Sequence, residues 1–321
     1  MPTRRRAGRK LLTALLPILL VGVAALAGLA AWLVVGATSP PRKPYLVTPE
    51  KFAQLSDRGL RAAEENWTNR DGTTARGWLL RGDEGAPALL LLHHYGADRS
   101  WLLNLGVKVN EATNMTVLLP DLRGHGENPP VGRSGLGETE GEDLLAALEF
   151  LRTLKSKQGG PLVGGSVGFY GVGLGAYAAL AAAASEPNVK ALALDSVPAS
   201  PDEVLGSAVA TASGFDASLF RLLARVGVRA YYAGGYDNRA ACELAASVRG
   251  ARVLLLAGEG SGAAKSQTAQ LAACFPPTAQ VTPQTDLPVS GLSAASVTPE
   301  QGETYDRRVI EFVDAALRAD R

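Results

Sequence analysis

Three kinds of side chain in this sequence could do chemistry: serines in glycine-rich turns, three histidines, and scattered carboxylates. Acyl transfer needs a nucleophile, a base within hydrogen-bond reach, and an acid that orients the base. A literal G-x-S-x-G occurs at Gly164-Gly165-Ser166-Val167-Gly168. A second glycine triplet follows at Gly171-Val172-Gly173-Leu174-Gly175, with no serine in it. The histidines, His93, His94 and His125, all precede both triplets. No metal site is expected. Neighbouring residues on an extended segment point to opposite faces, which parts His93 from His94, and there is no H-x-x-x-H or C-x-x-C spacing.

The elements around the triplets separate them. Val167 to Tyr170 is short, apolar and partly aromatic, and predicts a buried strand. Ala176 to Ala181 is alanine-rich and predicts a helix. Gly173 therefore falls at a strand-to-helix turn, the setting in which a nucleophile is exposed on a sharp bend. Ser166 has no apolar strand before it and a strand after it. It is expected to be a decoy, a loop serine entering a strand.

Further segments complete an alternating pattern. Leu89-Leu90-Leu91-Leu92 is an apolar strand running into His93-His94-Tyr95-Gly96, and Thr116 to Pro120 is a strand running into Asp121-Leu122-Arg123-Gly124-His125-Gly126. Asp143 to Leu154 and Arg307 to Leu317 have helical spacing. Val189 to Leu194, ending at Asp195, and Val253 to Leu256 predict two more strands. Arg61 to Arg81 predicts a hairpin around Asn69-Arg70-Asp71-Gly72.

With the D-L-R-G-H-G and G-V-G-L-G segments in that order, residues from about Gln54 to Arg321 resemble the α/β-hydrolase superfamily, in its dienelactone-hydrolase and serine-aminopeptidase-like branch. The resemblance implies an α/β fold, a mostly parallel twisted sheet with helices on both faces. It also implies a Ser-His-acid triad whose positions here are degenerate. The nucleophile's place holds Gly173. The histidine's place, in Ser290-Gly291-Leu292-Ser293, holds Leu292. The acid's place after Val253–Leu256 is filled only by Glu259. Asp195 ends a strand where some relatives carry the acid, but reads as a loop cap with no histidine to orient. His93, His94, Tyr95, Gly96 and Leu174 correspond to the oxyanion loop and pocket. No cofactor is implied.

The N-terminus carries a second signal. Arg4, Arg5, Arg6, Arg9 and Lys10 precede an apolar stretch from Leu11 to Val35. About 20 residues are needed to span a bilayer, whereas a cleaved signal core has about 7–15. The organisation expected is a basic cytoplasmic tail at 1–10, a transmembrane signal anchor at 11–35, a Pro-rich spacer at 36–53 that holds the domain off the membrane, and the hydrolase-like domain at 54–321. A long cleaved signal peptide is the alternative. The basic excess before the anchor puts the N-terminus in the cytoplasm and the domain outside it. A formal charge of +1, with no basic stripe interleaved with aromatics, excludes a nucleic-acid footprint.

Two features stay open. Residues 198–238 form a candidate cap insertion, either a lid over a ligand pocket or an ordinary excursion against the sheet edge. Cys242 and Cys274 either pair or remain buried thiols. The function expected is a membrane-anchored, extracytoplasmic pseudoenzyme that binds a small molecule or an envelope protein. The alternative is a working esterase or peptidase-like enzyme with Ser166 as a non-standard nucleophile.

Overall fold

Apolar runs too short for helices and bounded by turn residues become the buried inner strands, while the first and last strands are largely polar. The computed structural model describes residues 3–55, 62–127, 129–293 and 298–318. Two compact units emerge, one of Ser39–Val204 with Asp237–Arg321 and one of Met1–Thr38 with Leu205–Tyr236.

The larger unit is built on an eight-stranded sheet. Its strands are β1 (Ala62–Thr68), β2 (Thr74–Leu80), β3 (Ala86–Leu92), β4 (Thr116–Pro120), β5 (Val163–Val172), β6 (Val189–Asp195), β7 (Arg252–Gly258) and β8 (Gln280–Leu287), in the spatial order β1-β2-β4-β3-β5-β6-β7-β8. The β1–β2 and β2–β4 pairs are antiparallel and all others parallel. The expected hairpin forms. Gly72 takes φ 81° and donates its N–H to the Asn69 carbonyl at 2.9 Å. Arg61, the start of that expectation, lies outside the described residues. Every residue of β3 is buried, as in a parallel strand covered on both faces.

Eight further helices belong wholly or partly to this unit. They are α2 (Pro49–Leu55), α3 (Leu103–Thr113), α4 (Glu138–Thr153), α5 (Leu174–Ser185), the first residues of α6 (Pro201–Ser213), then, past the segment of the other unit, α8 (Ala241–Ala245), α9 (Ala264–Leu271) and α10 (Pro299–Arg318). Both α4 and α10 start earlier than their apolar periodicity predicted, because their first turns are polar and carry Glu138, Glu140 and Glu300. The small faces of α4 and α5 allow close packing. A Cβ on Gly141 would lie 3.0 Å from the Ala181 Cβ. Cys242 of α8 is disulfide-bonded to Cys274, in the 3-10 turn after α9.

The expected spacer departs from prediction. Its first three residues end the helix Thr3–Thr38, and only 39–48 lie outside helix and strand. Tyr45 packs edge-on against Trp78 with ring centroids 5.2 Å apart, and the Tyr45 hydroxyl donates to Asp121 at 2.7 Å. Leu46 N–H donates to the Ser100 hydroxyl at 2.9 Å, and α2 follows. Chain from Tyr45 onward is thus part of the folded unit, held by partners 33 to 76 residues away in sequence.

The smaller unit contains α1 (Thr3–Thr38), the remainder of α6 from Leu205, and α7 (Ser218–Tyr231). Within α1, Ala14–Thr38 is a 25-residue stretch apolar and long enough to cross a membrane. α7 packs on α1 at a glycine: a Cβ on Gly227 would sit 2.7 Å from Val34 Cγ2. The insertion at 198–238 therefore forms helices of which α7 packs on the N-terminal helix, an arrangement neither expected alternative named.

Candidate functional site

The bend after β5 carries the site. Gly173 joins β5 to α5 with φ 54° and ψ −116°, a backbone region that residues with a Cβ enter at a cost. The flanking glycines are required sterically. A Cβ on Gly171 would fall onto the Gly175 carbonyl, and one on Gly175 onto the Leu92 carbonyl. Gly173 N–H donates to the Asp195 carbonyl at 2.9 Å, and its own carbonyl accepts Tyr177 N–H at 3.0 Å. Leu174 opens α5, so its N–H lies in the first helical turn, where amides lack intrahelical acceptors.

Two side chains face the bare Cα of Gly173. A Cβ built there would lie 3.3 Å from His94 Cβ and 3.5 Å from Leu292 Cδ2. Gly173, His94 and Leu292 are thus brought together, and Leu292 can neither accept nor pass a proton. Glu259 is not part of this cluster; its side chain is exposed on the turn after β7. Glu259, expected at the acid's place, keeps its carbonyl 3.5 Å from the Ser293 hydroxyl of the Leu292 loop. The buried carboxylate that meets the same loop is Asp195, because the C-terminal end of β6 adjoins it.

Asp195 is fully buried. Its Oδ2 accepts the Gly291 N–H at 2.9 Å and the Tyr305 hydroxyl at 2.5 Å, while Oδ1 accepts the Ser196 hydroxyl at 2.5 Å. Tyr305 spends its proton on Asp195, so the Tyr170 hydroxyl, 3.0 Å away, donates to Tyr305. The same reasoning makes Ser261 the donor to Ser196 at 2.8 Å. Burial raises the Asp195 pKa above the ordinary carboxylate value, against the opposing pull of the Ser196, Tyr305 and Gly291 hydrogen bonds. Both Asp195 oxygens are thereby occupied by donors.

The three histidines each carry a proton on Nδ1, facing a backbone carbonyl, and differ at Nε2. His93 is buried, and its Nε2 accepts Leu122 N–H at 3.1 Å, which leaves Nδ1 to donate to the His94 carbonyl at 2.9 Å. Burial lowers its pKa to about 3, so it is neutral and structural. His94 donates from Nδ1 to the Tyr95 carbonyl at 2.8 Å. Its unprotonated Nε2 is buried without a protein hydrogen-bond partner, and burial lowers the His94 pKa. The ring stands edge-on to Trp101, centroids 5.0 Å apart. Tyr95 is half-buried and edge-on to His125, and Gly96 turns the loop with φ 78°. His125 Nδ1 donates to the Arg123 carbonyl of its own loop at 2.9 Å. The carbonyl is an acceptor, so Nδ1 carries the proton.

The loop Asp121–Gly126 is a structural clamp. Asp121 accepts the Tyr45 hydroxyl and the Arg99 N–H, and lies 3.3 Å from Arg99 Nε and 3.4 Å from Arg76 Nε. Arg123 Nε donates to Asp143 at 2.6 Å. Ser166 lies in the N-terminal half of β5, six residues before Val172. At about 3.3 Å per residue it sits roughly 20 Å from the bend, at the opposite end of the sheet.

A cavity of about 380 Å³ opens beside His94, lined by Trp101 and Lys108 on one side and by Glu303, Tyr305 and Asp306 on the other. Lys108 bridges Glu303 at 2.6 Å and Asp306 at 2.7 Å. Among the described residues no three His, Cys, Asp or Glu side chains converge as a metal-holding cluster. Asp195 and His94 were visible in the sequence. Tyr305 and Tyr170 were missed, because their pairing spans 135 residues and no motif marks it.

No protein-family model matches the chain. In a comparison with solved structures, an esterase from Pyrococcus furiosus, Pf2001, superposes with a TM-score of 0.62 at 17% identity, covering 87% of this chain and 98% of that one. In sequence, the chain is 34% identical over 98 residues to the dihydrolipoyllysine-residue acetyltransferase component of an acetoin cleaving system from Pseudomonas putida, 30% of this chain and 26% of the relative. It is 29% identical over 129 residues to the thiohydrolase aneE of Aspergillus aculeatus, 40% of this chain and 39% of the relative. The matched stretches span about a quarter and two fifths of these curated relatives. Strand order, the β5–α5 bend and the structural likeness agree: this chain has the α/β-hydrolase fold.

Proposed function

We propose that this chain is a membrane-anchored, extracytoplasmic α/β-hydrolase-like protein that does not catalyse hydrolysis and acts by binding a small molecule or an envelope protein. The observation that carries the reading is Gly173. The bend keeps its backbone geometry but presents no attacking atom. The base position is a leucine, and the one buried carboxylate beside it is hydrogen-bonded to Tyr305. Removing one triad member from an active enzyme leaves about 10³–10⁴-fold catalysis over water. Here nucleophile and base are both missing. The cavity beside His94 offers a binding surface instead, lined in part by the His94 and Trp101 side chains. The stretch Ala14–Thr38 supports anchoring by its length and composition, and the basic residues before it support an inward N-terminus.

The test is exposure of the folded full chain in detergent to a serine-directed fluorophosphonate, read by intact mass. The reading expects no adduct. A stoichiometric adduct on any one serine would overturn it and favour an enzyme.

A further inference from the structure

The unusual feature of the smaller unit is a helix with its apolar side turned outward. On α7, Leu219, Leu222 and Val226 are 54%, 56% and 59% exposed. At 100° per residue they share one side of the helix. Arg221, Arg225 and Arg229 follow one another at four-residue steps on the adjoining side, also exposed. Ala224 and Val228 form the buried side. A helix on a water-facing surface would show its arginines and hide its leucines. Here both are shown, side by side.

What α7 rests on identifies the occupant. Gly227 meets Ala30 and Val34 of α1, and α1 and α7 together enclose an apolar groove of about 630 Å³. Ala30 and Val34 lie eight and four residues before Thr38, the end of the span-length stretch. At 1.5 Å per residue, that places the Gly227 contact about 6–12 Å inside the end of the span, and the groove runs on to Val23, roughly 22 Å inside. Amphipathic helices at a membrane surface bury their apolar side about 5–10 Å deep. Exposed Val23 and Val35 of α1 line this groove together with exposed Val226 and Tyr231 of α7. Arginine heads on long aliphatic stems reach phosphate while their stems stay in hydrocarbon.

We infer that α7 is a second membrane-contacting element, an amphipathic helix that seats Leu219, Leu222 and Val226 among lipid acyl chains of the leaflet at the C-terminal end of α1, with Arg221, Arg225 and Arg229 toward the lipid phosphates. The inference rests on the reading of α1 as a membrane span. On it, the insertion at 198–238 fastens the chain to the bilayer.

The experiment uses the full chain in nanodiscs of phosphatidylethanolamine and phosphatidylglycerol. Cys242 and Cys274 are bonded to each other, so single substitutions Leu222→Cys, Val226→Cys, Val23→Cys and Lys157→Cys each take one bimane label. Each label is challenged with acyl-chain doxyl lipid and with aqueous iodide. The inference expects Leu222→Cys and Val226→Cys to be quenched by doxyl lipid as strongly as Val23→Cys, with Lys157→Cys quenched only by iodide. If the α7 labels follow Lys157→Cys while Val23→Cys is lipid-quenched, the inference fails and the anchor stands. If the α7 labels escape both quenchers, a protein partner or second copy covers the stripe and the inference fails. If Val23→Cys is itself quenched by iodide alone, the anchor fails and the inference falls with it.

Discussion

Asp195 and Gly173 stand at neighbouring strand ends, hydrogen-bonded through one backbone contact, yet they are furnished in opposite ways. Around Asp195 both oxygens are occupied by donors from β6, the loop before Leu292 and α10. Around Gly173 there is only backbone geometry, a leucine and an imidazole whose Nε2 has no protein partner. A buried carboxyl group cannot be left alone, because each unsatisfied polar atom in the interior costs free energy. A bend needs no side chain at its apex, and glycine occupies it with less strain than any nucleophile would. The bend can therefore stay bare of side chains, whereas a buried carboxyl group must be hydrogen-bonded.

The comparison breaks first at the acid. Asp195→Ala strands the Tyr305 hydroxyl, the Gly291 N–H and the Ser196 hydroxyl at once. At about 1–3 kcal/mol for each of the three buried donors left unpaired, it should lower unfolding free energy by roughly 3–9 kcal/mol in urea titration. A loss under about 1 kcal/mol would mean the network is incidental.

The bend should respond less. Gly173→Ser puts a Cβ at φ 54° and 3.3 Å from the His94 Cβ. The folded protein should form but lose about 1–3 kcal/mol, the scale of a strained backbone position. A neutral or stabilising result would show that the bend does not hold the conformation described.

The smallest effect is a slope. Burial holds the Asp195 pKa above its ordinary value of about 3.9. As pH rises, the unfolded chain releases this proton first, so the stability that Asp195 contributes is fully present below the unfolded value and is lost as pH climbs through the folded pKa. Asp195→Asn keeps an acceptor and cannot titrate. Urea midpoints of wild type and Asp195→Asn, measured from pH 3 upward, should diverge with rising pH, the wild type falling relative to the variant. Parallel curves would contradict the assigned direction.

The contrast also explains what was legible in the sequence. Gly171, Gly173 and Gly175 announce a bend because close backbone approach is a local demand, met within five residues. The strands β3, β4, β6 and β7 were legible because apolar runs report burial directly. Asp195 was seen but set aside in favour of Glu259, since a motif places an acid by loop, whereas its hydrogen bonds to Gly291 and Tyr305 join remote parts of the chain at the end of an interior strand. Tyr305 lies 110 residues from Asp195 and opens no motif, so only the folded chain brings them together. Tyr45 was likewise read as spacer because its partners, Trp78 and Asp121, are remote. The insertion at 198–238 was visible as a segment, but the small-residue contact of Gly227 with Ala30 and Val34 is again a long-range pairing.

The central claim, that the bend survives without its chemistry, is tested most directly by initial rates of aryl ester hydrolysis with the folded full chain over a range of substrate concentrations. The account predicts a rate that matches buffer, rises linearly with substrate, and is unchanged in Ser166→Ala. Saturating turnover that a single point substitution abolishes would contradict it.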